Sequence, residues 1–216
     1  MSYEEQLNVL HESLKINHGT FNDEYPEQIM SMMYIEPDNV VLELGGCIGR
    51  NSLIISSKLN NSDQLLVFET NPNYANILNE NKNLNNFNFL IENSAISKIP
   101  LFQKSIDSRP IEAIPDIENW YPIKTMTWQE VKNKYNKTFD VLVADCEGAL
   151  YYILRDEPSF LETFKTIIIE NDFNDFNHKI FVDEEFKKFN FKKVYNKEGG
   201  WGPCFNCFFE AWKKEL

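Results

Sequence analysis

Five short runs of almost unbroken apolar residues constrain this chain more than anything else in it. They are Val40–Leu44, Leu65–Phe68, Asn88–Ile91, Val141–Ala144 and Ile167–Ile169. A strand with one wet face alternates apolar and polar residues, whereas a strand covered on both faces does not. Helical stretches lie between the runs, at about 50–59, 74–84, 127–135 and 149–155, and Thr127 with Glu130 has the spacing of a capping box. Strand and helix repeated in this way predict a parallel sheet joined by right-handed crossovers. Two aromatic-rich runs, Phe189–Tyr195 and Phe205–Trp212, flank a turn at Gly199–Pro203 and predict an appended antiparallel hairpin, for seven strands in all. Residues 1–36 read as a cap of two helices, at about 3–14 and 25–34, on a single core formed by residues 37–216. Residues 97–123 hold Pro100, Pro110, Pro115 and Pro122 and read as a long excursion, the kind of segment that often covers a substrate.

With 216 residues, 43% of them hydrophobic and 17 of them Phe, the chain has enough apolar material for a core without disulfide staples. Its net charge of −12 repels phosphate backbones and anionic lipid, so neither nucleic acid nor a membrane surface is the expected partner. The first residues, MSYEEQLNVLHESL, lack the basic start and apolar stretch of a leader, and no apolar run approaches the ~18 residues of a membrane span. Cys47, Cys146, Cys204 and Cys207 are too scattered for a disulfide framework, which points to a reducing, cytoplasmic setting. Cys204-x-x-Cys207 has no second ligand pair for zinc, and alternation along a strand would put Cys207 in the core with Phe205.

The chemistry-bearing residues stand where the strands end. Glu43-Leu44-Gly45-Gly46-Cys47-Ile48-Gly49 follows the first strand and opens a helix. Glycines allow a tight bend and close approach to a ligand, and the helix start offers free N–H groups. Glu69 closes the second strand twenty residues beyond Gly49, where a carboxylate can accept both hydroxyls of a ribose. Asp145-Cys146-Glu147-Gly148 closes the fourth strand and Glu170 the fifth. Acids gathered at one sheet edge repel one another, so a cation is expected between them, either a sulfonium cofactor or a divalent metal. This reading requires Glu43, Glu69 and Asp145 to line one crevice.

In order and spacing, VLELGGCIGRNS, FETNP and ADCEGAL resemble the FkbM-type methyltransferases, which depend on S-adenosylmethionine. Glu43, Gly45, Ile48 and Gly49 match the family's first motif, with Gly46 at its small position and Cys47 in place of a frequent Asn. Glu69 matches the second motif, with Pro72 displaced by Thr70 and Asn71. Asp145, Glu147 and Gly148 match the third, and Thr127–Trp128 resembles the segment before strand four. The resemblance spans roughly residues 38–172. It implies a Rossmann-like class I methyltransferase fold, a mostly parallel sheet in the order 3-2-1-4-5-7-6, and O-methylation of a hydroxyl on a sugar, glycan or other small molecule.

On this reading S-adenosylmethionine is held by Glu43, Gly45, Gly46, Cys47, Gly49, Glu69, Thr70, Ser94, Ala95 and Asp145. Asp145, Glu147 and His178 are the candidate catalytic residues, His178 from a polar loop after strand five. Its ordinary pKa near 6.5 suits a general base. His18 is a candidate lid residue, and Trp120, Tyr121 and Trp201 are aromatics in expected loops on which a sugar could stack. No metal site is assigned, although a divalent ion fits the acids. The alternatives are a methyltransferase acting on RNA or protein, a nucleotide-sugar oxidoreductase using NAD, or a binding module that keeps the fold without activity.

Overall fold

The computed structural model describes residues 1–215. The chain opens with α1 (Tyr3–Ser13), started by a capping box between Ser2 and Glu5, and α2 (Tyr25–Tyr34), which takes Pro26 in its first turn, where no N–H is needed. β1 (Val41–Leu44) runs into α3 (Arg50–Lys58), and β2 (Leu65–Phe68) into α4 (Pro72–Leu84), followed by β3 (Leu90–Glu92). The excursion contains β4 (Ala95–Ile96), β5 (Leu101–Lys104), β6 (Asp107–Pro110), β7 (Tyr121–Ile123) and β8 (Thr125–Met126). Then come α5 (Trp128–Tyr135), β9 (Val141–Ala144), α6 (Ala149–Asp156), β10 (Thr166–Glu170), α7 (Phe176–Lys188), β11 (Phe191–Lys197) and β12 (Phe209–Lys214). The Thr127–Glu130 capping box forms at the start of α5.

The main sheet runs β3-β2-β1-β9-β10-β12-β11, which in its own strand count is the expected 3-2-1-4-5-7-6. β3, β2, β1, β9 and β10 pair in parallel, and β12 lies antiparallel to both β10 and β11. β1, β2 and β9 are buried at every position and β10 at all but its last, which explains their unbroken apolar sequence. Leu7, Met30 and Ile35 of the N-terminal segment join the same hydrophobic cluster as the strands. The chain leaves β1 toward β3 and returns to β9, so Leu44 and Ala144 pair side by side at the carboxyl edge. This reversal creates the crevice in which open α/β sheets bind ligands.

Three local expectations are corrected. Residues 205–207 are not strand: Pro203 starts a short 3-10 helix, Gly202–Cys207, and β12 begins only at Phe209. Cys204 is therefore the fully buried cysteine, while Cys207 is half-buried and Phe205 exposed. The excursion is not a bare loop. It folds into a three-stranded antiparallel sheet, β6-β5-β7, with a separate β4–β8 pair, and Tyr121 lies on β7. The polar stretch after β10 turns into α7, which Asp175 starts by accepting the Asn177 N–H. The apolar pattern of α7 is partly inverted: Phe176 and Ile180 are exposed, whereas Lys179 and Glu185 are buried.

Candidate functional site

The glycine-rich loop is held down on both sides. Gly45 and Gly46 both donate backbone hydrogen bonds to the Phe68 carbonyl, and Asp145 donates its N–H to Leu44. Gly45 has a φ of +90°, and a Cβ there would overlap the Asp145 carbonyl oxygen. Only glycine lets the tips of β1 and β9 approach this closely. Gly49, at φ +96°, caps α3 against Leu78 of α4.

A cavity of about 430 Å³ opens over this edge, within the range of small-molecule sites. Gly45, Cys47, Glu69, Thr70, Ser94, Ala95, Asp145 and Glu147 line it, as does Glu170. Glu69 uses both oxygens structurally: one accepts the Cys47 N–H and the other the Asn71 N–H, each at 2.7 Å. Thr70 Oγ1 accepts from Gln103 Nε2 at 2.8 Å, which ties the excursion sheet to the end of β2. Ser94 is 2% exposed, and its hydroxyl has no partner. An orphaned buried hydroxyl in a cavity wall is a position for a ligand's polar edge.

The placement of the other expected residues differs. Glu43 is not in the wall. It lies beneath the loop, where its Oε2 accepts from Ser52 Oγ at 2.5 Å, and burial pushes its carboxyl up to about 8. Two of the three acids required to share a crevice, Glu69 and Asp145, therefore do so. Gly46 and Gly49 also lie outside the wall, packing the loop onto Val67 and Leu78 because their missing side chains leave room for those residues. His178 sits in the first turn of α7, not in a loop. Its ring stacks on Tyr151 with centroids 3.6 Å apart, it is not among the lining residues, and burial holds its pKa below the usual imidazole value. His18 pairs with Glu80 at 3.4 Å on the outer surface, away from the cavity. Trp120 and Trp201 do not line the cavity either.

Several lining residues were not legible in sequence. Gln103 and Ser108 come from the excursion sheet, with Ile106 in its turn, so this segment does wall the cavity. Glu24 and Glu27 come from the N-terminal helices. Arg50 draws that segment in: its guanidinium bonds Glu24 at 2.7 Å, Asp23 at 3.1 Å and the Thr20 carbonyl at 2.9 Å. Nothing in the local pattern marks these residues, because packing across the fold brings them together.

The wall is strongly acidic. Glu24, Glu27, Glu69, Asp145, Glu147 and Glu170 face it, and no Lys, Arg or His does among the described residues. Burial raises the carboxyls of Glu69 and Glu147 above their ordinary values. Burial, then the neighbouring Asp172, raises Asp145 well above its own. Glu170 is pushed up to about 12 by burial, by contact with Glu27 and by the charge of Asp145. Such a wall rejects anions and favours a cationic ligand.

The chain matches no protein-family model and no curated protein. Solved structures share its fold. The ribosomal protein L11 methylase of Lactobacillus delbrueckii subsp. bulgaricus aligns with a TM-score of 0.56 at 12% identity, over 92% of this chain and 81% of that one. TrmK of M. capricolum, solved with S-adenosyl-homocysteine, gives 0.53 at 11% identity, over 87% and 67%. Precorrin 8w decarboxylase of Methanobacterium thermoautotrophicum gives 0.51 at 12% identity, over 95% and 98%. At this level of identity the likeness establishes the fold, a Rossmann-like sheet of the methyltransferase type.

Proposed function

We propose that this chain is an S-adenosylmethionine-dependent methyltransferase that transfers a methyl group to a hydroxyl of a small, uncharged acceptor, a sugar or glycan foremost. The observation that carries this reading is the gathering of Glu69, Ser94 and Asp145 in one acidic cavity at the sheet's reversal point. The wall fits the cofactor: Glu69 stands where a ribose would be held, the unpartnered Ser94 hydroxyl beside Ala95 would meet an adenine edge, and the acids beyond would suit a sulfonium and an ammonium. When bound, the cofactor supplies an electrophilic methyl group.

The chain's own residues do the rest. Gly45 and Cys47 shape the floor, and Thr70 and Gln103 close the side. Glu147, in the left-handed turn before α6 with a φ of +51°, lines the same cavity as Tyr152 and Ile153 of α6. Glu147 and Asp145 are the proton-accepting groups within reach of an acceptor hydroxyl there. Alignment of acceptor and donor supplies several kcal/mol by itself.

The FkbM-type assignment rests on the order of the three motifs and on the Asp145-x-Glu147-Gly148 segment at the end of β9. RNA and other anionic acceptors are disfavoured by the net charge of −12 and by the absence of a basic group in the wall among the described residues. Titration calorimetry with S-adenosylmethionine, S-adenosyl-homocysteine and NADH tests the reading. Heat with the first two alone is the expected result, and binding of NADH alone would overturn it. A screen of sugars with radiolabelled methyl donor then identifies the acceptor.

A further inference from the structure

Glu27, Asp145 and Glu170 come from α2, the end of β9 and the end of β10, and each brings a carboxylate oxygen within 4.8 Å of the other two. A second observation points to a missing ligand there. Glu27 is 6% exposed and lines the cavity, yet its Oε2 has no hydrogen-bond partner. Arg50, which reaches the start of this segment, is committed to Glu24, Asp23 and Thr20, and no Lys, Arg or His lines the cavity among the described residues. Three buried carboxyls this close are costly to ionise together unless protons or a cation neutralise them.

We propose that Glu27, Asp145 and Glu170 bind one hard divalent cation, of the Mg²⁺, Mn²⁺ or Ca²⁺ class, at the acceptor end of the cavity. All three donors are carboxylate oxygens, the ligands these ions take. Oxygens around such an ion, at metal–oxygen distances of about 2.1–2.5 Å, lie no more than about 5 Å apart, and these three lie within 4.8 Å of one another. Glu170 stands three strands from Glu69, ~14 Å at ~4.8 Å per strand, so the cluster lies beyond the expected ribose position. Its part in methyl transfer rests on the proposed function, where a cation would hold the acceptor hydroxyl and lower its pKa. Its binding of the ion does not.

The test is Mn²⁺ titration of the full chain after treatment with chelator, followed by calorimetry and by electron paramagnetic resonance of free Mn²⁺. Glu27→Gln and Glu170→Gln are run beside the wild type, and every sample is also titrated with S-adenosyl-homocysteine. Both substitutions replace a carboxylate ligand with an amide at nearly constant shape, and thermal melts check folding. The expected result is one Mn²⁺ per chain, weakened about tenfold or more in each variant as a charged ligand becomes an amide. Mn²⁺ affinity unchanged in both variants would overturn the site. Binding of S-adenosyl-homocysteine with no Mn²⁺ binding would overturn it and leave the cofactor reading intact. If that pattern came with loss of S-adenosyl-homocysteine affinity in both variants, the cluster would belong to the cofactor's ammonium. Binding of Mn²⁺ without S-adenosyl-homocysteine would support the cation site and overturn the cofactor reading.

Discussion

The Glu69 carboxylate accepts the backbone N–H of Cys47 at 2.7 Å, so the acid closing one strand holds the loop that closes its neighbour. Its other oxygen holds Asn71, the N-cap of α4. One side chain thus sets the loop, the helix start and one wall of the cavity. Replacing Glu69 with Ala removes all three supports. S-adenosyl-homocysteine affinity should fall by about 1.5–3 kcal/mol, the usual worth of a hydrogen bond to a charged group. Calorimetry gives the number, and unchanged affinity would take Glu69 out of the site.

The approach of β1 to β9 depends on Gly45. An alanine there meets both a φ of +90° and the Asp145 carbonyl. Gly45→Ala should destabilise the fold by more than about 2 kcal/mol through backbone strain and steric overlap. At about 2–4 °C per kcal/mol for a chain of this size, the melting temperature should drop by at least about 4 °C. Circular dichroism melts measure this, and a wild-type melting temperature would show that the strand tips can separate freely.

Glu43 makes stability depend on pH. Its folded pKa, about 8, lies above the ordinary 4.5, so the folded chain binds the extra proton between those values. Stability from this group is full below about pH 4.5 and is lost as pH rises through about 8. Near pH 7 the loss is on the order of 3 kcal/mol. Glu43→Gln, which still accepts from Ser52, should melt higher than wild type at pH 8 and show a flatter profile from pH 5 to 8. Parallel curves for the two proteins would refute this.

Glu147 and His178 are separable by position. Glu147 lines the cavity, whereas the His178 imidazole is stacked on Tyr151 outside the lining residues. Glu147→Gln should lower turnover on the identified acceptor by about a hundredfold, with S-adenosyl-homocysteine affinity unchanged. His178→Ala should leave turnover close to wild type. A hundredfold loss in the histidine variant, at normal cofactor affinity, would transfer the proton-accepting role to it.

The strands were legible because burial on both faces forces a run such as Val41–Leu44 to be apolar at each position but one, and the exception, Glu43, is the residue with the displaced pKa. Gly45, Glu69 and Asp145 were legible because a strand end beside a glycine bend is local chemistry, visible within a few residues. The same locality does not show that Gly46, Gly49 and Glu43 lie behind the cavity wall, since which side of a loop faces a cavity is decided by the elements packed behind it. α7 escaped notice because Lys179 is buried against Glu210 of β12, an ion pair that reverses its apolar pattern. Glu24, Glu27, Gln103 and Ser108 reach the cavity from segments far apart along the chain. Backbone propensity and hydrophobic period act over a turn or a strand, and they wrote the sheet into the amino-acid order. Bringing an N-terminal acid to within 4.8 Å of acids on β9 and β10 took long-range packing, which no local pattern encodes.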